Sequence, residues 1–461
     1  MEAFNKILGV LTPVTVLGAG LFFALLLRGL PLVRARLCAR SMTRSDTGAS
    51  SLKSLTLALA GTLGVGNIVG VSSAIAFGGF GSVFWMWASA LAAMFLKYAE
   101  VTLAMRHRQR LSDGGFRGGA PYYIRDRLSR RAPRFAALAA VIFAVFCMAN
   151  AILMGCVIQA NTASAAAKES FGIPPAVTGF ALALLCFLFS VRGRRAVTAV
   201  TSLLVPLMSG LFLLVSLAAI LRQASAVPSA FGLIFQNAFR ADSAAGGIFG
   251  FLLSRGIRFG TIRGLISNEA GCGTSPTAHA ATDAKSPVEQ GFFGIIEVFV
   301  DTILLCTVTA LVIILRFDEV SSLAASPMAM TLAAYSAPFG AAGGFIRALL
   351  TAAVLCFGLA TMLCWGHYGT ESLGFILRTA RKKEREAAHE GTPSLVFLMI
   401  FCGFALWGAH AAPELVWSLT DLVTGVMTLM NTGILLLSRK EIRNVTLSYF
   451  GYSTVRGSRR P

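Results

Sequence analysis

Gly61-Thr62-Leu63-Gly64-Val65-Gly66-Asn67-Ile68-Val69-Gly70 places four glycines inside one long apolar stretch. A second apolar stretch contains Gly256-Ile257-Arg258-Phe259-Gly260-Thr261-Ile262-Arg263-Gly264. Glycine is unfavourable in a helix interior and permits backbone conformations that other residues avoid. Glycines in apolar helices also let two helices pack closely, so packing is the alternative explanation. We predict that the helix is discontinuous at both stretches, at about 55–79 and 243–270.

The surrounding composition indicates a protein embedded in lipid. Of its 461 residues, 56% are hydrophobic and 13% are charged, whereas about a quarter of the residues of a soluble protein are charged. A membrane-spanning helix needs about 20 predominantly apolar residues. The sequence therefore predicts an all-α membrane protein. Eleven candidate spans lie at about 7–30, 55–79, 82–105, 135–165, 175–191, 196–221, 243–270, 290–316, 343–376, 393–410 and 415–438.

Basic residues fall on one side of these spans. The chain has 40 Lys and Arg against 21 Asp and Glu, a formal net charge of +19. The basic residues cluster in loops that follow odd-numbered spans, for example 106–134 and 192–195. Such loops are typically cytoplasmic, so we interpret the charge as a topology signal and expect no nucleic-acid partner. The pattern predicts a multi-pass protein of a bacterial inner membrane, with its N-terminus outside and its C-terminus in the cytoplasm.

The two glycine-rich spans are the second and the seventh. A separation of five spans reverses the topology, and interrupted helices at corresponding positions of two halves indicate a transporter binding site. Unwound backbone is tolerated in a bilayer only where it lines a protein cavity. The positive end of a half-helix suits a carboxylate, and freed carbonyl oxygens suit a small cation.

Several motifs resemble those of the alanine or glycine:cation symporter family. They are Gly64-Val65-Gly66-Asn67-Ile68-Val69-Gly70-Val71, Phe84-Trp85-Met86-Trp87, Lys97-Tyr98-Ala99-Glu100-Val101-Thr102, Gly118-Gly119-Ala120-Pro121-Tyr122-Tyr123-Ile124, Arg263-Gly264-Leu265-Ile266-Ser267-Asn268-Glu269-Ala270-Gly271, Ala278-His279-Ala280-Ala281, Phe299-Val300-Asp301-Thr302 and Trp365-Gly366-His367-Tyr368-Gly369. The resemblance runs in order from about residue 7 to residue 440.

The resemblance implies a fold like that of the bacterial leucine transporter, with two inverted five-helix repeats. It implies import of alanine or glycine with Na⁺ as the coupling ion, no other cofactor and no enzymatic activity. The alternative is a transporter of the same fold for another small amino acid or amine, coupled to Na⁺ or to H⁺. The implied organisation is a first helix with a basic loop at 1–54, repeats at 55–222 and 243–438, an extracellular linker at 223–242 and a basic tail at 439–461.

The resemblance also implies the residues of the binding site. Its substrate residues are Gly64, Val65, Gly66, Gln159, Phe259, Gly260, Ile262 and Trp365. One Na⁺ site would use the carbonyls of Ala60 and Leu63 with the hydroxyl of Thr361. A second ion would use Asn67 and the carbonyl of Thr62. Val65 stands where the family usually has threonine.

Other polar residues are weaker candidates. Glu100 and Glu269 lie near span ends, where gating pairs with Arg258 or Arg263 are possible. Asp301 lies deep in span eight, and intramembrane carboxylates are functional candidates by default. It could relay protons or hold helices together, and both alternatives stay open. We expect His279 to be isolated and structural.

Overall fold

The computed structural model describes residues 2–34, 48–112, 114–130, 132–239, 255–381 and 391–452. These residues are mainly helical, with one two-stranded antiparallel hairpin, β1 (Gln109–Arg110) and β2 (Phe116–Arg117). The helices are α1 (Glu2–Leu26), α2 (Leu30–Val33), α3 (Gly48–Thr62), α4 (Val69–Gly78), α5 (Gly81–Arg106), α6 (Ala120–Ser129), α7 (Pro133–Phe171), α8 (Pro175–Ser190), α9 (Arg194–Leu221), α10 (Val227–Ala238), α11 (Arg255–Asn268), α12 (Pro276–Ala280), α13 (Pro287–Leu315), α14 (Phe317–Val320), α15 (Pro327–Ser336), α16 (Gly343–Arg381), α17 (Gly391–His410), α18 (Pro413–Leu437) and α19 (Arg439–Tyr449).

Many of these helices can cross a bilayer. Within the described ranges, eight are long and apolar enough by length and composition, and α3 with α4 forms a ninth if the bent pair is one span. Helix α8 is apolar but shorter. These findings confirm a mainly helical, multi-pass membrane protein, while the total of eleven spans and the inverted repeats stay predictions. The segment predicted as a linker, 223–242, contains helix α10.

The first predicted interruption is confirmed. Helix α3 ends at Thr62, a single 3₁₀ turn covers Val65–Asn67, and α4 begins at Val69 with its axis bent by 59°. Gly64 is extended, with φ −102° and ψ −166°. Residues 63–68 are called the interruption below. All six are buried, so the unwound backbone is enclosed by protein, as the bilayer requires.

The second interruption was predicted at the wrong place. Helix α11 runs without a break through Gly256–Gly264, and residues 243–254 lie outside the described residues. Gly256, Gly260 and Gly264 follow one another at four-residue spacing on the face turned to α4 and α5. A Cβ atom at Gly260 would lie 2.2 Å from the backbone oxygen of Ser82. These glycines therefore serve close helix packing, the alternative explanation given above.

The chain leaves the helix further on, after Asn268. Glu269, Gly271 and Gly273 have φ angles of 54°, 84° and 77°. This left-handed region is uncommon for a residue with a side chain, so Glu269 is a local exception. Residues 269–275, called the 269–275 turn below, connect α11 to α12.

Helices α7 and α13 each contain a π-helical segment, at Ala151–Val157 and Phe299–Cys306. Such segments are rare and occur frequently at functional sites. Gln159 is the second residue after the first segment, and Asp301 lies inside the second. Both segments thus widen a helix beside residues that face the interruption.

Candidate functional site

Helix α16 closes the end of α3. The last carbonyls of a helix have no partner within it, and here side chains of α16 donate to three backbone oxygens of α3. The Thr361 hydroxyl donates to Ala60 (2.9 Å), the Cys364 thiol to Leu57 (3.0 Å) and the Trp365 indole to Gly61 (3.3 Å). The predicted Na⁺ site at Thr361 uses two carbonyls, those of Ala60 and Leu63. Leu63 is the first residue of the interruption.

Gln159 of α7 reaches the backbone of the interruption. The amide of Val65 donates to Gln159 Oε1 at 3.1 Å, while Gln159 Nε2 donates to the Met154 carbonyl at 3.0 Å. A Cβ atom at Gly64 would lie 3.0 Å from Thr361 Oγ1 and 3.1 Å from the Gln159 amide. Glycine is therefore the residue that fits between these two polar groups. The Val65 amide already binds one oxygen in the way a carboxylate oxygen would be bound.

Asp301 gathers polar side chains from three elements. Its carboxylate accepts hydrogen bonds from Asn67 (2.6 Å), Ser267 (2.7 Å) and Thr302 (2.7 Å), and all four residues are buried. We call these four residues the Asp301 cluster. The carbonyl oxygen of the Asn67 side chain has no hydrogen-bond partner among the described residues. Carboxylate, amide and hydroxyl oxygens are the ligands that hard cations prefer.

The structure brings some predicted site residues together and separates others. Gly64, Val65, Gln159 and Thr361 meet at the interruption, and Ser267, rather than Gly260, is the α11 residue nearest Gly66. The other predicted α11 residues lie elsewhere. Phe259 packs on Phe77, with ring centroids 6.0 Å apart, Gly260 packs on Ser82, and Ile262 lines a small cavity with Asp421.

Two members of the Asp301 cluster, Ser267 and Thr302, were not among the candidates. Ser267 lies in a motif quoted above, but its role depends on where α11 ends. The carbonyl of Thr62, expected to bind a second ion, instead accepts the Gly64 amide at 2.7 Å. Of the two residues expected to bind the second ion, Asn67 is the one that contacts a further oxygen ligand, the Asp301 carboxylate.

A buried ion pair joins α5 to α13. Lys97 Nζ lies 3.3 Å from Glu297 and donates to Ser275 at 2.8 Å. Glu297 also contacts His279 (3.0 Å), whose other ring nitrogen contacts Gln290 (2.8 Å). The expectation of an isolated His279 is therefore wrong. A lysine inside a predicted span carries the same signal as a carboxylate, and sequence analysis did not weigh it.

The predicted gating pair of Arg263 with a glutamate is also wrong. Arg263 pairs with Asp421 of α18 at 3.3 Å and stacks on Trp417 at 4.2 Å from the ring centroid. Glu100 instead accepts hydrogen bonds from the Gly273 amide and from Asn431. The Glu100 carboxylate and the Arg263 guanidinium therefore have different partners and do not pair with each other.

A cavity of about 620 Å³ opens beside the basic loops. We call it the basic-side cavity. Residues of the β-hairpin, of α16 and of the segment after α11 line it, among them Arg117, Thr277, His367 and Glu371. Arg117 and Glu371 form an ion pair of 2.8 Å. The cavity thus lies on the same side of the bundle as the basic loops.

An interrupted membrane helix with polar groups converging on its unwound backbone is the architecture of a secondary transporter. The chain matches the sodium:alanine symporter family over residues 1–457. The protein therefore belongs to the sodium:alanine symporter family, and this membership identifies it as a cation-coupled amino-acid symporter.

Individual relatives agree with this assignment. The chain is 31% identical over 436 residues to the sodium/alanine symporter AgcS of Methanococcus maripaludis, covering 92% of this chain and 91% of that protein. It is also 31% identical over 399 residues to a probable sodium/glutamine symporter, GlnT, of Bacillus subtilis, covering 86% and 78%.

A solved structure of a Na⁺-coupled sialic acid symporter has a similar fold. The TM-score is 0.52 at 12% sequence identity, covering 96% of this chain and 86% of that one. At this identity the likeness supports the fold and does not bear on the substrate.

Proposed function

We propose that this protein imports a small neutral amino acid of the alanine or glycine class together with Na⁺, by alternating access. The observation that carries the proposal is the arrangement at the interruption. One backbone amide is bound by a side-chain oxygen, and a buried carboxylate lies within hydrogen-bond distance of Asn67 of the same segment.

The substrate carboxylate would bind the backbone at Gly64, Val65 and Gly66. Anions bind readily where backbone amides at a helix start are not used within the helix. In the structure, Gln159 Oε1 occupies the Val65 amide, so a substrate carboxylate would share or replace that contact. A Cβ at Gly64 would crowd Thr361 and Gln159, so the space beside Gly64 suits only a small group.

Two places suit a coupling cation. The first lies between Ala60, Leu63 and Thr361, where the hydroxyl and the Ala60 carbonyl are already 2.9 Å apart. The second is the Asp301 cluster, whose single negative charge would be balanced by one Na⁺. A buried carboxylate without a paired cation is costly, and a bound cation would remove that cost.

A carrier of the same fold for another small amino acid, coupled to H⁺, is the second candidate. It is favoured by the same carboxylate, because Asp301 could take up a proton instead of Na⁺. One relative, YrbD of Bacillus subtilis, is described as a putative sodium/proton-dependent alanine carrier. For orientation, we propose that the basic loops face the cytoplasm, as the positive-inside pattern predicts.

Uptake by the purified protein in proteoliposomes tests the proposal. Radiolabelled alanine, glycine, serine and glutamine would be supplied with an inward Na⁺ gradient, an inward H⁺ gradient or neither. We expect alanine or glycine to accumulate with the Na⁺ gradient alone. Accumulation with the H⁺ gradient alone would favour the second candidate. Equal accumulation with the Na⁺ gradient, with the H⁺ gradient and with neither would refute symport.

A further inference from the structure

The indole of Trp365 joins three parts of the molecule. Its N–H lies 3.3 Å from the Gly61 carbonyl at the end of α3 and 3.1 Å from Glu269 Oε1 in the 269–275 turn. Trp365 itself belongs to α16, and both side chains are completely buried. The indole N–H thus contacts both the broken span and the 269–275 turn from its position on α16.

Along α16, Trp365 lies between a residue that contacts the end of α3 and residues that line the basic-side cavity. Thr361, one turn before it, contacts the end of α3, whereas His367 and Glu371, further along, line the cavity. At about 1.5 Å per residue, Trp365 lies about 6 Å beyond Thr361 and about 3 Å before His367 along the helix axis. Thr277 of α12, which comes shortly after Glu269 in the chain, also lines the cavity.

The surroundings hold both side chains in place. A Cβ atom at Gly155 would lie 2.1 Å from the Trp365 Cβ, so glycine alone leaves room for the indole. The left-handed backbone of Glu269 (φ 54°) aims its carboxylate at the indole, and Thr274 fixes its second oxygen at 2.6 Å. Burying a carboxylate is costly, and packing alone would be served equally well by an apolar residue.

We propose that the hydrogen bond between Trp365 and Glu269 is the inner gate of this carrier. While it holds, the indole seals the interruption from the basic-side cavity. When it breaks, the 269–275 turn and α16 separate and open the route for release. The proposal rests on the proposed function, but its test measures accessibility and does not require transport.

Cys364 reports on this gate. It lies next to Trp365, is completely buried, and occupies the same face of α16 as His367 and Glu371, three and seven residues further on. Its alkylation by iodoacetamide, mapped by mass spectrometry on the full-length reconstituted protein, would measure how often the gate opens.

Trp365→Phe keeps the aromatic ring without the donor, and Glu269→Ala removes the acceptor. Hydrogen bonds to charged groups are the stronger ones, so each change should raise the Cys364 labelling rate about tenfold or more. The double variant should label no faster than the faster single variant, because both changes remove the same hydrogen bond, the one between Trp365 and Glu269. Glu269→Gln keeps an acceptor oxygen but loses the charge, so its labelling rate should fall between those of the parent and Glu269→Ala.

Thr274→Ala is the matched control. It removes the other hydrogen bond of the same carboxylate, and labelling should stay at the parental rate. Parental labelling in Trp365→Phe, or rate increases that multiply in the double variant, would overturn the gate. An alanine uptake assay on the same vesicles separates the two proposals. Absent uptake with the expected labelling pattern would reject the proposed function and leave the gate standing.

Discussion

Replacing Asp301 by asparagine tests whether its carboxylate binds the coupling cation. The change keeps the size of the side chain and removes one buried negative charge. Asp301 accepts three side-chain hydrogen bonds, two of which come from Asn67 and Ser267 on the broken span and on α11. An asparagine can keep part of that network, so the loss is mainly one of charge.

The magnitude follows from Coulomb's law. Two unit charges about 4 Å apart attract by about 4 kcal/mol at an effective dielectric constant of about 20. Relief of the cost of burying the carboxylate offsets part of this loss. If about half remains, roughly 2 kcal/mol, the Na⁺ concentration for half-maximal uptake rises by about tenfold to a hundredfold.

The assay is a Na⁺ titration of alanine uptake in proteoliposomes. Asp318→Asn is the control, because it removes the same charge from an exposed position in the short helix α14 and should titrate like the parent. If Asp301→Asn transports alanine with the parental Na⁺ dependence, Asp301 does not bind the coupling ion and the reasoning is refuted.

Three further predictions use other residues. Val65→Thr should raise alanine or glycine uptake by about two- to tenfold, since one hydroxyl adds about 0.5–1.5 kcal/mol of hydrogen bonding; unchanged uptake kinetics would mean that residue 65 does not face the substrate. Thr361→Ala should raise the Na⁺ requirement of uptake by a similar factor, and an unaltered titration would exclude its hydroxyl as a ligand. His107 lies 3.2 Å from Asp126 and 3.3 Å from Glu441 of α19, outside the spans; burial alone would lower its pKa, but the two carboxylates raise it to about 9. The stabilising contribution of protonated His107 is therefore complete below a pH of about 6.5 and is lost as the pH rises through about 9. The difference in melting temperature between the parent and His107→Gln should therefore disappear above that pH. A difference that does not depend on pH would contradict the assignment.

The first interruption could be predicted because its cause is local. Four glycines between Gly61 and Gly70 interrupt an apolar run, and within this one segment they weaken the helix. The same signal at Gly256–Gly264 was ambiguous. Only the position of the Ser82 backbone oxygen, which leaves no room for a Cβ at Gly260, shows that these glycines serve packing. Such a contact between distant segments cannot be read from spacing.

The candidate site shows the same division. Gln159 and Thr361 could be proposed from motifs, but the partners of Asp301 depend on where α11 ends. That end is set by Glu269, whose left-handed backbone has no signature in the sequence. Lys97 is different, because a charged residue within a predicted span is a visible signal. Its pairing with Glu297 across two helices required the structure.

The most direct test of Na⁺-coupled symport is a measurement of ²²Na⁺ entry driven by alanine. Vesicles containing the protein, with equal Na⁺ on both sides, would receive external alanine while the membrane potential is clamped. We expect alanine to drive ²²Na⁺ inward and Asp301→Asn to abolish or strongly reduce this flux. Alanine entry without any accompanying ²²Na⁺ would contradict it.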